Sequence, residues 1–388
     1  MMKINPGGRL APKDVVGRDE EIKEYWDILD QQGLILAAER RIGKSSIIFK
    51  MRDSSMDDCI TFYQDLSQNN TVLDLVRSIF YTVEDNLPGL KKYLGKAYHA
   101  WRFIPKKIWI LELPNAKNRW RDHLANTIEE LITAAGTDKK VVLFWDEFPV
   151  MLHKIKRNEG DDVAMDLLDQ LRVLRQKHTN LRLVFTGSIG LHLVLRGLSL
   201  AGNPNTPVND MYQVEVKPLS KGDTINLSRD LLLNNIAPPP DNVDDLANQI
   251  ANKVEGFAYY VHHIAALLKR GKYPLTIDGV DAAVDFLVND PRDTADLQDY
   301  ATRLDKYYEA DEKIIARIIL NALSTEEQPI GLEKIINLVR SNDSAVEAEL
   351  IKDVVDLLWR DHYLMRTPET TYRFRWKMVE KWWLENRT

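Results

Sequence analysis

The chain has 388 residues, 44% hydrophobic and 28% charged, the proportions of a folded protein with room for two or three domains. A net charge of −6 excludes a polycation that binds nucleic acid over its whole surface, so any such contact must be a local patch. The single cysteine, Cys59, excludes an intrachain disulfide framework and a multi-cysteine zinc site, and no stretch approaches the apolar length of a membrane span.

Residues 1–14 lack the apolar core of a signal peptide, so we expect a cytoplasmic protein with no membrane association. In residues 14–30, Val15, Val16, Gly17 and Arg18 form a turn. Asp19 then caps a helix with Ile22, Tyr25, Trp26 and Leu29 at helical spacing. An amphipathic surface helix accounts for this pattern; its place before the next motif also suits it to cover a base.

That motif is GLILAAERRIGKSSIIFK, residues 33–50. Leu34 to Ala37 is an all-apolar run, as a strand buried on both faces requires. Ala38, Glu39, Arg40, Arg41, Ile42, Gly43, Lys44 and Ser45 follow, and Ser46 opens an apolar helix. Strand, Gly-Lys-Ser loop and helix is the layout of a phosphate-binding loop. Its backbone N–H groups and the helix N-terminus offer partial positive charge to phosphate oxygens. Lys44 would reach the β- and γ-phosphates, and the Ser45 hydroxyl would take a position on Mg²⁺. Ala38 stands where the pattern has glycine, a change of one methyl.

Residues 59–63 read as a second strand, with Cys59 a strand residue rather than a nucleophile, and residues 71–87 as a helix. Residues 88–122 stand apart. Lys91, Lys92, Lys96, Arg102, Lys106, Lys107, Lys117, Arg119 and Arg121 are opposed only by Glu112 between positions 91 and 121, with Trp101, Phe103, Trp109 and Trp120 interleaved. Such a segment suits nucleic-acid backbone and stacking contact; it also suits a solvated insertion whose tryptophans pack on the domain. A helix over 118–135 follows.

Val141 to Trp145 is a buried strand ending in Asp146-Glu147. Asp146 would hold Mg²⁺ and Glu147 would orient an attacking water. Residues 163–178 form a helix carrying Arg172 and Arg175. Leu181 to Phe185 is a further buried strand ending Thr186-Gly187-Ser188, whose hydroxyls could sense a γ-phosphate or cap the next helix. Alternating strands and helices imply a parallel, doubly wound sheet. Ligand would lie at the strands' carboxyl ends, where Lys44, Asp146 and Ser188 fall.

Strands stop after residue 218. Residues 219–300 read as a helical domain broken by Pro238-Pro239-Pro240, Gly256 and Pro274. Residues 301–388 carry helices over 314–323, 331–339 and 345–360, then strands over 362–365 and 371–376, a winged-helix pattern. The candidate recognition helix, 345–360, is acidic (Glu347, Glu349, Asp353, Asp356), which suits a phosphate-lined groove poorly. Alternation puts Arg373, Arg375 and Lys377 on one strand face and Tyr372, Phe374 and Trp376 on the other.

Together these residues resemble the archaeal-type ATPase family within the AAA+/STAND group of P-loop ATPases, which includes origin-recognition-type initiators and signalling ATPases. Ala38 to Ser45 resembles Walker A, Val141 to Glu147 resembles Walker B, and Phe185 to Ser188 the end of the sensor-1 strand. Val16, Gly17 and Arg18 resemble the family's N-terminal box, implying contact with adenine or ribose. Gly256-Phe257-Ala258 falls at the lid's Gly-x-Pro turn, with Ala258 in place of proline. Arg175, or Arg172, stands where relatives carry an arginine that acts in trans in a nucleotide-dependent oligomer.

The resemblance implies an α/β nucleotide domain (1–218), a helical lid (219–300) and a winged helix (301–388), with ATP and Mg²⁺ as cofactors. We expect an ATP hydrolase acting as a nucleotide-controlled switch on a protein partner. The alternatives are a DNA-acting, initiator- or transposition-regulator-like ATPase that uses the basic segment and the wing, and a scaffold with a dead site. Intact Lys44, Ser45, Asp146 and Glu147 argue against the last.

Overall fold

The strand that leads into the Gly-Lys-Ser loop is paired on both edges within a five-stranded parallel sheet. The computed structural model describes residues 2–86, 119–136, 138–187, 190–200 and 207–387. Among them the strands are β1 (Gly33–Ala37), β2 (Cys59–Asp65), β3 (Lys140–Asp146), β4 (Leu181–Thr186) and β5 (Met211–Glu215). Their order is β2-β3-β4-β1-β5, every pairing parallel. The helices between them are α1 (Asp19–Leu29), α2 (Lys44–Asp53), α3 (Val72–Asn86), α4 (Trp120–Ala135), α5 (Phe148–Glu159), α6 (Asp161–Lys177) and α7 (Leu191–Leu200).

The residues of β3 after Lys140, and all of β4, are buried without alternation, as in strands covered on both faces. Trp145, Phe148 and Phe185 stack in this core, with Phe148 and Phe185 centroids 3.9 Å apart. The Trp145 indole N–H reaches Gln64 Oε1 at 2.9 Å, so the largest core side chain leaves no orphan donor. Arg182, a charge within a buried strand, donates to the carbonyls of Asp30 and Thr179, both at 2.7 Å, and to that of Leu29. It thereby caps the carboxyl end of α1, where unpaired carbonyls favour a cation.

The chain divides into two compact units. Residues 19–37 and 44–216 form the sheet unit. The other joins residues 217–388 to residues 1–18 and to the loop 38–43. The N-terminal segment is held there by hydrogen bonds from Ile4 N–H to Asn235 and from Asn5 N–H to His262. The loop's attachments are described below.

In this second unit the helices are α8 (Lys221–Asn235), α9 (Val243–Val254), α10 (Ala258–Lys269), α11 (Ile277–Asn289), α12 (Gln298–Tyr307), α13 (Ala310–Thr325), α14 (Leu332–Asn342), α15 (Ala348–Arg360) and α16 (Lys377–Arg387). Side chains start several of them. Ser220 caps α8, Thr276 caps α11, and Asp293 accepts from Leu297 and Gln298 N–H at the head of α12.

Gly256, at φ +88°, lies against Pro218 and Leu219: a Cβ there would stand 2.5 Å from the Leu219 carbonyl oxygen. The glycine of the expected lid turn is therefore required by packing.

Strands β6 (Ile330–Gly331), β7 (Leu364–Arg366) and β8 (Thr371–Phe374) form a small antiparallel sheet in the order β6-β8-β7 beside α13, α14 and α15. Tyr372, Phe374 and Trp376 are buried as their alternation requires. One expectation is corrected here. The strand ends at Phe374, and Lys377 is the first residue of α16, not a strand residue. That helix is amphipathic: Trp382 and Trp383 are buried, and the Trp383 indole donates to Asn321 on α13 at 2.8 Å. No helix among the described residues is long and apolar enough to cross a membrane.

Candidate functional site

The carboxyl edge of the sheet unit collects the acid and hydroxyl groups. Asp65 and Asp146 pair in register across β2 and β3, and Leu36 pairs with Thr186 across β1 and β4. Asp146 is buried and its carboxylate is held by three donors. Ser45 Oγ reaches Oδ2 at 2.6 Å, Tyr63 OH reaches the same oxygen at 3.2 Å, and Glu147 N–H reaches Oδ1 at 3.1 Å. Three donors fix the plane of a carboxylate that would otherwise rotate, so Ser45 and Asp146 stand as a preset pair of hard oxygens.

Glu147 turns the chain from β3 into α5 with φ +57°, a left-handed conformation that costs a non-glycine residue free energy. Gly187, just past β4, packs beneath it: a Cβ there would lie 2.7 Å from Pro149 Cδ and 3.6 Å from Glu147 Cα. Lys44 begins α2 and is 8% exposed.

The preceding six residues of the loop pack in the second unit, and each of the three long side chains there is engaged within it. Glu39 is 3% exposed; Tyr300 OH donates to its Oε2 at 2.5 Å, and Arg303 Nη1 lies 3.8 Å from Oε1. Arg40 pairs with Asp296 at 2.7 Å and Asp299 at 3.0 Å. Arg41 pairs with Asp296 at 2.9 Å and lies over the Tyr259 ring at 4.7 Å. Arg41 has φ +66° and Gly43 φ +109°, so the loop twice enters the left-handed region. A Cβ at Gly43 would meet nothing within 4 Å among the described residues. Successive left-handed turns of this kind make a concavity lined by backbone N–H groups. Arg18 is buried and donates to the carbonyls of Lys217 at 2.7 Å and Ile42 at 3.3 Å. Gly17, at φ +66°, lies where a Cβ would be 2.8 Å from Asp223 Cγ. Arg18 thus buttresses the loop, a job its place in a turn did not reveal.

Arg175, expected to act in trans, has partners within its own chain. Its side chain is 5% exposed and forks onto Asp210 at 2.7 and 2.9 Å, with a further bond to the Pro207 carbonyl at 2.8 Å. A guanidinium committed to three bonds inside its own chain is not presented to a neighbour. Ser188 and most of the basic segment, 88–118, lie outside the described residues. Of that segment's end, Arg121 pairs with Asp166.

The cations of β8 and the residues after it are also accompanied. Arg375 bonds His362 Nδ1 at 2.7 Å and lies over the Trp376 ring. Arg373 and Lys377 act on Glu255 and Glu380, whose carboxyls burial pushes above the usual range and these cations pull back down. Cys59 is half-buried and its thiol is raised to about 11 by burial, which leaves it protonated and unreactive at neutral pH.

Sequence reasoning missed Tyr63, because a tyrosine on an edge strand carries no motif. It also missed the acceptors of Arg40 and Arg41, which lie more than 250 residues away.

The comparisons with known proteins agree with this architecture. The Walker-type ATPase of Pyrococcus abyssi superposes with a TM-score of 0.64 at 15% identity, over 98% of this chain and 99% of that one. The ORC2 protein of Aeropyrum pernix, solved as ADPNP–ADP complexes, gives 0.58 at 12% identity, over 98% and 95%. At such identities the likeness is one of fold alone, a parallel sheet domain followed by a helical carboxyl-terminal region. No protein-family model and no curated protein sequence matches the chain.

Proposed function

We propose that this protein is an ATP-binding, Mg²⁺-dependent P-loop ATPase that works as a nucleotide-controlled switch on a protein partner. The observation that carries the reading is the Ser45–Asp146 pair at 2.6 Å, the hydroxyl of a Gly-Lys-Ser loop meeting the acid at the end of β3. That donor set fits Mg²⁺, which takes oxygen ligands, keeps several waters and is completed by phosphates rather than by a protein cage. Consistently, no cluster of three or more His, Cys, Asp or Glu suited to a metal occurs among the described residues.

In this reading the N–H groups of residues 39–45 take the phosphate oxygens, and Lys44 adds the charge that accompanies the β- and γ-phosphates. Ser45 and Asp146 hold the metal, which supplies positive charge to the phosphate oxygens. Glu147, fixed by its strained turn above Gly187, aligns the water. The ORC2 protein was solved with nucleotide, which supports nucleotide binding in a shared fold.

A protein partner is favoured over DNA by the surface of the wing domain. Helix α15 carries Glu349, Asp353 and Asp356 with Lys352 already paired to Glu349 at 3.0 Å. The cations Arg373 and Lys377 stand among carboxylates. The test is calorimetry with ATP and Mg²⁺ on the wild type and Lys44→Ala, which should abolish binding, followed by capture of partners with Glu147→Gln held in the ATP state. Equal ATP affinity of the wild type and Lys44→Ala rejects the site. Salt-sensitive DNA binding in an anisotropy titration, lost on charge reversal of Arg373 and Arg375, replaces the protein partner with DNA.

A further inference from the structure

The anchors of the phosphate loop continue into the wing domain through one buried cation. Arg303, on α12, is 5% exposed and its guanidinium lies between two buried carboxylates. On one side is Glu39 of the loop at 3.8 Å; on the other is Asp361, between α15 and β7, at 4.0 Å. The hydroxyls around it are committed in the same cluster. Tyr300 OH donates to Glu39 at 2.5 Å, Tyr308 OH to Asp361 at 2.7 Å, and Tyr363 OH to the Tyr300 carbonyl at 2.6 Å. Burial raises all three phenols well above their ordinary range, so each keeps its proton and can donate it.

Arg303 stands at nearly equal distances from the two carboxylates, 3.8 Å and 4.0 Å, and also donates to the Asp361 backbone carbonyl at 3.5 Å. One cation is shared between two anions, one on the loop and one at the base of the wing. A buried charge that loses a partner is strongly destabilised. If nucleotide draws Glu39 with the loop, Arg303 must either follow it, away from Asp361, or lean on Asp361 and release the loop. That is a two-position element biased from both ends, which is the physical requirement for coupling.

We propose that Arg303 is a positioning residue for the phosphate loop, tying the conformation of residues 38–43 to the base of the wing, so that nucleotide affinity and wing packing form one equilibrium. The proposal rests on the nucleotide-binding reading above and names how that site would be regulated.

The experiment uses the full chain and two near-isosteric variants, Glu39→Gln and Asp361→Asn, with Lys44→Ala as a control. Affinity for a fluorescent ATP analogue with Mg²⁺ is measured alongside hydrogen exchange with and without it. Glu39→Gln removes the loop's hold on Arg303 and should weaken nucleotide binding by about tenfold, within the usual range of coupling. Asp361→Asn removes the competing charge, lies on no loop residue, and should tighten binding by a similar factor. Opposite signs at two ends of one cluster are not produced by general loosening. In the wild type, nucleotide should change exchange in residues 361–376 as well as in the loop, and either substitution should abolish the distal change. Wild-type affinity in both variants, or a nucleotide effect confined to the loop, overturns the positioning role and leaves the ATPase reading standing. Absence of nucleotide binding by the wild type, indistinguishable from Lys44→Ala, overturns both.

Discussion

Ser45, Tyr63 and the Glu147 amide all converge on Asp146, and that convergence decides what single substitutions should do. Tyr63→Phe removes one donor from the carboxylate proposed to hold Mg²⁺, while keeping the ring packed 4.6 Å from Phe49. We expect Mg²⁺-dependent nucleotide affinity to fall by about tenfold, the scale for losing an outer partner of a metal ligand, with Mg²⁺-free binding unchanged. Titrations with and without the metal separate the two. On the proposed role of Glu147, Glu147→Gln keeps the turn and removes the carboxylate that aligns the water, so hydrolysis should slow by about 10²-fold or more while ATP binding persists. Normal single-turnover rates in this variant would move the role to another residue. Arg175→Ala should act on stability instead of catalysis. It leaves Asp210 without its guanidinium and should cost about 2 kcal/mol in urea denaturation, with turnover per folded molecule near the wild-type value.

One glycine sets a joint between elements by packing and not by mobility. Gly256 admits the carbonyl of Leu219 where a side chain would collide, and its own carbonyl accepts the Leu219 N–H at 3.0 Å. Gly256→Ala meets both a left-handed φ and an atom at 2.5 Å, so a loss of about 1–3 kcal/mol is expected by urea denaturation. Stability equal to the wild type would mean that α9 and α10 can shift without cost. The elements themselves were largely legible in advance. β3 and β4 announce themselves as unbroken apolar runs, and the wing's alternation of Tyr372, Phe374 and Trp376 is the burial pattern found. Helix α16 was not legible, because its Trp382-Trp383 pair makes sense only once α13 supplies Asn321 and an apolar wall. The two-residue strand β6 is too short for any periodicity.

For the whole molecule, pH is the informative variable. His263 on α10 is 8% exposed, and burial lowers its pKa from 6.5 to about 4, assisted by Arg41, His262 and Arg270. A base whose folded pKa is depressed takes its proton first in the unfolded chain. Its contribution is therefore intact above pH 6.5 and is lost as pH falls toward 4. Between about pH 7 and 5 the loss is on the order of 2 kcal/mol. His263→Leu should flatten the fall in unfolding free energy over that interval relative to the wild type. An unchanged slope would show that the imidazole is not kept neutral by its surroundings. The Arg41 cation that helps to depress His263 belongs to the phosphate loop, so a ligand that draws Arg41 away should also ease protonation of this histidine.

The sequence by itself determined the strand–loop–helix layout around Gly43-Lys44-Ser45, the two acids at the end of β3 and the parallel, doubly wound character of the sheet. These depend on neighbours in the chain: an apolar run with both faces to cover, and a glycine and lysine at the head of a helix. Only the tertiary structure decided what the loop's charged residues do. Glu39, Arg40 and Arg41 were legible only as positions of a phosphate-loop motif, and Arg175 only as a cation on a helix; that Asp296, Asp299, Tyr300, Arg303 and Asp210 come beside them is seen only in the fold. The reason is physical: a charge takes its meaning from whatever opposite charge lies within a few ångströms, and the folded backbone, not sequence spacing, sets that distance.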